Sequence, residues 1–259
     1  MARPSRQPQG SPATPRPEQF ARVHGSPGEA PRVAGLLRVG WPFLLIAVCT
    51  GYLLRAAWPW PPMPNALIGA SFLALAGALA VSVTVGRERL QSFIKGARGE
   101  EWVARTLSFL PAEYRVYHGL SEARGWLRHG ADYDHVVVGP SGLFLVETKF
   151  WAGTIAVRDG RIMCDGEEPD RPPLEQVKES ASVLRQQLST ALQRTLDVQA
   201  VLCFVGGSLT DGLTGSSGVV ICNGDTLLDV LQEKQGPPLA RAVRQQVAQY
   251  LDNLMKGGY

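Results

Sequence analysis

The chain has little cysteine, and what it has is not arranged for cross-linking or metal binding: four residues in 259, with no CxxC pair. That spacing excludes a zinc ribbon and a disulfide scaffold. Charge is sparse too. Only 19% of residues are charged and the formal net charge is +3, too small an excess for a nucleic-acid coat protein. A mean hydropathy of −0.03 is too high for a wholly disordered chain. No GxxxxGKS, GxGxxG or HExxH motif occurs, nor a GxSxG elbow, so the phosphate-loop, dinucleotide, zincin and serine-hydrolase signatures are absent. The 28 glycines and 19 prolines are too many for a plain helical bundle and follow no collagen period. There is no internal repeat, and the length suits one or two domains.

The positive charge is unevenly placed. Residues 1–35 hold five arginines against two glutamates, residues 36–86 hold Arg38 and Arg55 with no acid, and residues 87–259 hold 19 basic against 21 acidic side chains. All of the excess therefore lies in the first third. Residues 1–35 are rich in Pro, Arg, Gly and Ser and poor in large apolar residues, which predicts a disordered basic tail. The apolar region starts too late for a secretory signal peptide.

Two stretches lack charge altogether, residues 39–54 and 66–86. The second is long enough to cross a hydrocarbon core as a helix, at about 31 Å. The first reaches that length only if it extends to Trp60 with Arg55 snorkelling to the interface. Between them Trp58, Trp60 and four prolines mark an interfacial turn. The expectation is a transmembrane helical hairpin over 36–86. Arg22, Arg32 and Arg38 flank one end and Arg87, Arg89, Lys95 and Arg98 the other, so both termini should be cytoplasmic and the protein should sit in the cell membrane. Cys164, Cys203 and Cys222 would then be free thiols acting as small buried hydrophobes. Gly69, Ala70, Gly77 and Ala78 offer small surfaces through which the hairpin could form a homo-oligomer.

Residues 87–259 read as one mixed α/β domain. Trp102, Val103, Leu107 and Leu110 have helical spacing over 97–110, and Pro111 follows. Strands are expected at 114–119, 133–138, 143–149, 153–158, 161–164, 198–205 and 217–222. Helices are expected at 174–195, opened by Pro172 and Pro173, and at 225–233 and 237–255.

The densest polar set lies on the 133–149 hairpin. A turn centred between Pro140 and Ser141 puts Asp134 opposite Glu147. Residues two apart on a strand share a face, so Glu147 and Lys149 project together while His135 turns the other way. Two carboxylates, with the Thr148 carbonyl, suit a hard divalent ion such as Mg²⁺ or Mn²⁺ that could polarise a phosphodiester, and the lysine could orient or activate water. An ordinary cross-strand ion pair of Lys149 with a carboxylate accounts for the same spacing. His118 and His129 show no ligand-pair spacing. Arg124, Trp126 and Arg128, in the 120–131 loop, could contact a nucleic-acid backbone, or could simply be solvated.

The wider pattern comprises Gly96-x-x-Gly99-Glu100 opening a helix, Asp134-His135 followed by three valines, Gly139 and Pro140, then Glu147-x-Lys149, then Pro173-x-x-Gln176. Over about residues 95–205 it resembles the NERD family, the nuclease-related domain, which is similar to the PD-(D/E)xK nucleases. The resemblance implies a restriction-endonuclease-like αβββαβ core with a mixed sheet, within a NERD-like domain spanning 87–259. It implies Asp134, Glu147 and Lys149 as catalytic residues, and Asp134, Glu147 and Glu100 around a Mg²⁺ or Mn²⁺ ion. Gln176 and Lys149 would contact substrate. The implied activity is metal-dependent hydrolysis of nucleic-acid phosphodiesters; DNA is expected in preference to RNA, and the expected hairpin would make the protein membrane-anchored. A catalytically inactive module binding nucleic acid or protein at the membrane is the alternative. Ser180 stands where some related nucleases have an aromatic residue, so the extended helix motif is incomplete. Glu101 competes with Glu100, and on a helix only one of the two can face the site.

Overall fold

The computed structural model describes residues 20–27, 29–57, 65–121, 132–210, 214–233 and 238–256. In chain order the elements are β1 (Arg22–His24), α1 (Glu29–Ala57), α2 (Asn65–Leu107), β2 (Arg115–Ser121), β3 (Asp132–Gly139), β4 (Gly142–Phe150), β5 (Thr154–Arg158), β6 (Arg161–Cys164), α3 (Pro173–Ala191), β7 (Gln199–Val205), β8 (Ser208–Leu209), β9 (Thr214–Ser216), β10 (Val219–Asn223), α4 (Leu227–Gln232) and α5 (Arg241–Lys256). The run from α2 through β2, β3, β4 and α3 to β7 is the expected αβββαβ order, with the β5–β6 hairpin inserted after β4.

The main sheet has seven strands in the order β1-β2-β3-β4-β7-β10-β9, and β6-β5-β8 form a second, small sheet. The main sheet is mixed. β2, β3 and β4 are antiparallel neighbours, while β4–β7, β7–β10 and β1–β2 are parallel. The β3–β4 turn is tight, with Gly139 paired to Gly142 and His135 to Val146, the register expected from a turn centred on Pro140-Ser141.

Alternation along the strands divides the core in two. Val136, Val138, Leu143 and Leu145 pack with Leu174, Val177, Leu184 and Leu188 of α3 and with Val243, Val247 and Leu251 of α5. Val137, Phe144 and Val146 pack with Val103 and Leu107 of α2 and with Leu227 and Val230 of α4. Central strands covered on both faces carry near-continuous apolar runs, which is how β3, β4 and β7 read.

Several expectations change. The basic segment is not disordered throughout: residues 22–24 form β1 and pair in parallel with residues 115–117 of β2. Phe20 meets Phe109 edge-on at 6.4 Å, and the His24 ring stacks on Tyr117 at 4.9 Å. A segment poor in large apolar residues is thus ordered by backbone pairing and two aromatic contacts. Residues 1–19 lie outside the described residues.

The charge-free run 66–86 and the helix expected at 97–110 are one continuous 43-residue helix, α2, because neither glycine nor proline interrupts the pattern strongly enough to end it. The short strands β8 and β9 were not expected, and Cys164 is half-buried where burial was expected.

The expected pair of membrane spans is not supported: among the described residues no helix is long and apolar enough to cross a membrane. The charge-free run of α1 is short, and that of α2 continues straight into a charged half. The helices do pack against each other, and Leu44, Leu45, Val48, Tyr52, Leu73, Val81 and Val83 lie exposed along them. The Trp/Pro turn at 58–64 and most of the loop expected at 120–131, with Arg124, Trp126, Arg128 and His129, fall outside the described residues.

Candidate active site

The sheet delivers four of the expected residues to one place, at the start of β3, the end of β4 and the first turns of α3. Lys149 Nζ donates to Glu147 Oε1 at 2.7 Å and to Gln176 Oε1 at 3.0 Å, and Gln176 Nε2 donates to Glu147 Oε1 at 2.7 Å. The three side chains close a ring. Pro172 and Pro173 set the start of α3, with Pro173 in its first turn, and so fix where Gln176 meets the strand. Glu147 is buried, with 6% of its side chain exposed, against 21% for Lys149. The carboxylate is therefore desolvated, and the hydrogen bonds from lysine and glutamine offset that cost.

Asp134 is half-buried beside this ring, and its Oδ2 accepts the Thr148 N–H at 2.9 Å. Burial pushes its carboxyl well above the usual range. The negative charges of Glu147 and then Glu100 push the same way, against the Thr148 N–H and the Lys149 ammonium. Glu100 is thus close enough to act on Asp134 electrostatically. It is held there by the packing of α2 on β4: a Cβ on Gly99 would lie 3.0 Å from Phe150 Cβ and 3.4 Å from Thr148 Cγ2. Glycine at 99 lets the helix approach the strand end, and Glu100 follows it. Three carboxylates with one ammonium form a site that favours an added positive charge.

The histidines take no part in this ring. His135 turns to the opposite face, as alternation requires, and its Nδ1 lies 2.7 Å from Nδ1 of His118 on the paired strand. Both are buried, and both Nε2 atoms lack a hydrogen-bond partner among the described residues. A bond between two Nδ1 atoms needs one ring to donate and the other to accept, so the two rings cannot both be charged. Burial, and for each the charge of a neighbouring histidine, lowers His118 to about 4 and takes His135 well below the ordinary histidine value. Sequence spacing alone missed this pair; only the β2–β3 register brings 118 opposite 135.

The residues present can be weighed against a divalent ion. Asp134 and Glu147 supply hard oxygen donors whose mutual repulsion a cation would relieve. Among the described residues, however, no group of three or more His, Cys, Asp and Glu is close enough to hold a metal ion. Glu147 Oε1 is already engaged by Lys149 and Gln176. The donor chemistry of Asp134 and Glu147 fits Mg²⁺ or Mn²⁺, but the expected three-acid set with Glu100 is not brought together; Glu100 acts on Asp134 through its charge.

A mixed sheet with an αβββαβ core, carrying two acids and a lysine at adjacent strand ends, fits a nuclease-like α/β fold. The family model for the nuclease-related domain, NERD, matches residues 95–205. That stretch runs from the α2 turn bearing Glu100 through β7 and contains every residue of the site, so the match supports the NERD family. No match was found among curated proteins or among solved structures.

Proposed function

We propose that the domain hydrolyses nucleic-acid phosphodiesters with the help of Mg²⁺ or Mn²⁺, DNA in preference to RNA. The observation that carries this reading is the ring of Glu147, Lys149 and Gln176 with Asp134 beside it. Asp134 and Glu147 would hold the ion, which when bound supplies positive charge at the phosphoryl oxygens. Lys149, tethered by Glu147 and Gln176, is pre-aimed to hold an attacking water or to donate to a phosphoryl oxygen, so little ordering remains for the reactive state. Gln176 can exchange its bond to Glu147 for one to substrate.

The test is cleavage of labelled DNA and RNA by the full chain, with and without Mn²⁺. Glu147→Ala and Lys149→Ala should each lower the rate at least about a hundredfold while the fold survives. Well-folded wild type that cleaves neither substrate overturns the catalytic reading. Mn²⁺ titration by calorimetry, repeated with Asp134→Ala, then tells whether the site binds an ion at all or the fold serves as a non-catalytic binding module.

We also propose that α1 and the first half of α2 anchor the domain to the cell membrane, with both termini cytoplasmic. The support is the two charge-free runs and the exposed apolar side chains along both helices. Exposed apolar side chains of this kind mark membrane or protein interaction surfaces when they adjoin. β1 supports the topology, since the segment before α1 pairs into the same sheet as the segment after α2. Both ends of the helix pair are then on one side. A reporter fused after residue 259 should report cytoplasm; a periplasmic or external signal would reverse the topology.

A further inference from the structure

The second half of α2 has two opposed faces. Val103, Ala104 and Leu107 are buried in the core, and Glu100 belongs to that side. On the other side Lys95, Arg98, Trp102 and Arg105 are all exposed. Their spacing of three, four and three residues keeps them within about 80° around the helix. No carboxylate occupies the stripe; Glu101 sits half-buried at its margin. None of the three cations forms an ion pair among the described residues, whereas Arg115 and Arg161 elsewhere on the domain pair with Asp252 and Glu168.

The aromatic member is held in place. A Cβ on Gly224, at the turn between β10 and α4, would fall 2.0 Å from Trp102 Cζ3. The indole lies directly on that glycine's backbone, yet Trp102 remains 40% exposed. A fixed, half-exposed ring among exposed cations with no ion pair among the described residues is a preformed surface for a polyanion that also offers flat groups to stack on.

We infer that this face of α2 is a track for the phosphate backbone of nucleic acid, separate from the catalytic ring. The inference rests on the nuclease reading for its partner. Lys95 to Arg105 spans about 15 Å at the helical rise, a length over which duplex DNA presents about nine phosphate charges. The domain that bears the stripe is net acidic, so these cations supply the local attraction that the overall charge does not. Anionic lipid is the weaker fit. The same helix runs unbroken from Gly86, where its charge-free stretch ends, to Arg105, about 28 Å further on. A membrane holding the first half of α2 is out of reach of the far end of the stripe.

The experiment compares the full chain, in detergent, with its Lys95→Gln/Arg98→Gln/Arg105→Gln variant. Glutamine preserves helix propensity at these exposed positions, and an unchanged melting temperature establishes that the fold is retained. Binding of a fluorescent 30-base-pair duplex is titrated between about 50 and 200 mM salt. Three lost phosphate contacts should flatten the slope of log affinity against log salt by about 2.7 and weaken binding at least about tenfold. In cleavage KM should rise with kcat nearly unchanged. An unchanged slope overturns the proposal. So does a triple variant that keeps duplex binding but loses binding to phosphatidylserine vesicles, which would assign the stripe to lipid. If wild type binds with the expected slope but cleaves nothing, the catalytic reading fails and the track stands.

Discussion

The helix pair and the α/β body use the same apolar residues in opposite ways. Leu73 on α2 is 76% exposed, while Leu184 on α3 is fully buried between that helix and the sheet. In the body the faces of the central strands are covered by helices of the same chain: α3 and α5 on one side, the end of α2 and α4 on the other. Along α1 and the start of α2 the residues that cover one another leave a wide apolar surface outward. A leucine's contribution depends on what covers it, not on its type. The body is stabilised from within, whereas among the described residues the helix pair leaves apolar side chains uncovered. One helix, α2, crosses between the two regimes, and the site residue Glu100 lies just past the crossing.

Paired truncations sharpen that contrast most. Leu184→Ala should cost the body about 2–5 kcal/mol, the range for a fully buried leucine. Leu73→Ala should shift the same unfolding transition by no more than about 0.5 kcal/mol. Denaturant unfolding followed by Trp fluorescence reads both. Equal losses would mean that the helix pair and the body unfold as one unit, and the comparison would fail. Membrane flotation of cell lysate should show the reverse ranking: a Leu44→Ser/Leu73→Ser/Val81→Ser variant leaves the membrane fraction, and Leu184→Ala stays in it.

The body has a weak point of its own in the buried pair His118 and His135. Histidine titrates near 6.5 in an unfolded chain, while His118 in the fold is lowered to about 4. Above pH 6.5 both states are neutral, so the full stability is present. As pH falls from 6.5 toward 4 the unfolded chain takes up a proton that the folded one refuses, and stability is lost. The shift corresponds to about 3 kcal/mol for His118, with His135 adding in the same direction. Melting temperature should therefore drop steeply across that window. A His118→Leu/His135→Leu variant, which removes both partners together, should flatten the decline between pH 6.5 and 5. A wild-type profile flat over that interval would show that the pair does not stay neutral.

The site was more legible in the sequence than the periphery, for a physical reason. Asp134, Glu147, Lys149 and Gln176 sit on elements whose period and punctuation are strong: a two-residue turn, alternating strands, and a helix opened by Pro172 and Pro173. Register followed from the turn, and side-chain facing followed from alternation. β1 was illegible because three residues gain their order from β2 rather than from any periodicity of their own. The unity of α2 was hidden for a different reason. Its apolar and charged halves look like separate segments, although helix hydrogen bonding takes no account of that change in partner. The His118–His135 contact depends on a cross-strand register that becomes visible only once β2 is placed. The cation stripe was present as spacing, but only burial of the opposite face distinguishes a track from an ordinary charged helix.

The smallest expected effect bears on the site itself. Asp134 is driven up first by burial and then by the charges of Glu147 and Glu100, so in the absence of a cation its ionised form opposes the fold. Asp134→Asn removes one of three converging negative charges. The amide oxygen can still accept the Thr148 N–H. In chelator at neutral pH the variant should be more stable than wild type, by about 1 kcal/mol. Added Mn²⁺ should then raise the wild-type melting temperature through binding to the folded state and leave Asp134→Asn nearly unmoved, while cleavage by the variant is lost. Stability in the body and activity at its edge would then pull in opposite directions at a single residue. An Asp134→Asn protein less stable than wild type in chelator would show that the carboxylate is held there by its hydrogen bond to Thr148 and by Lys149, and that the site needs no ion to tolerate it.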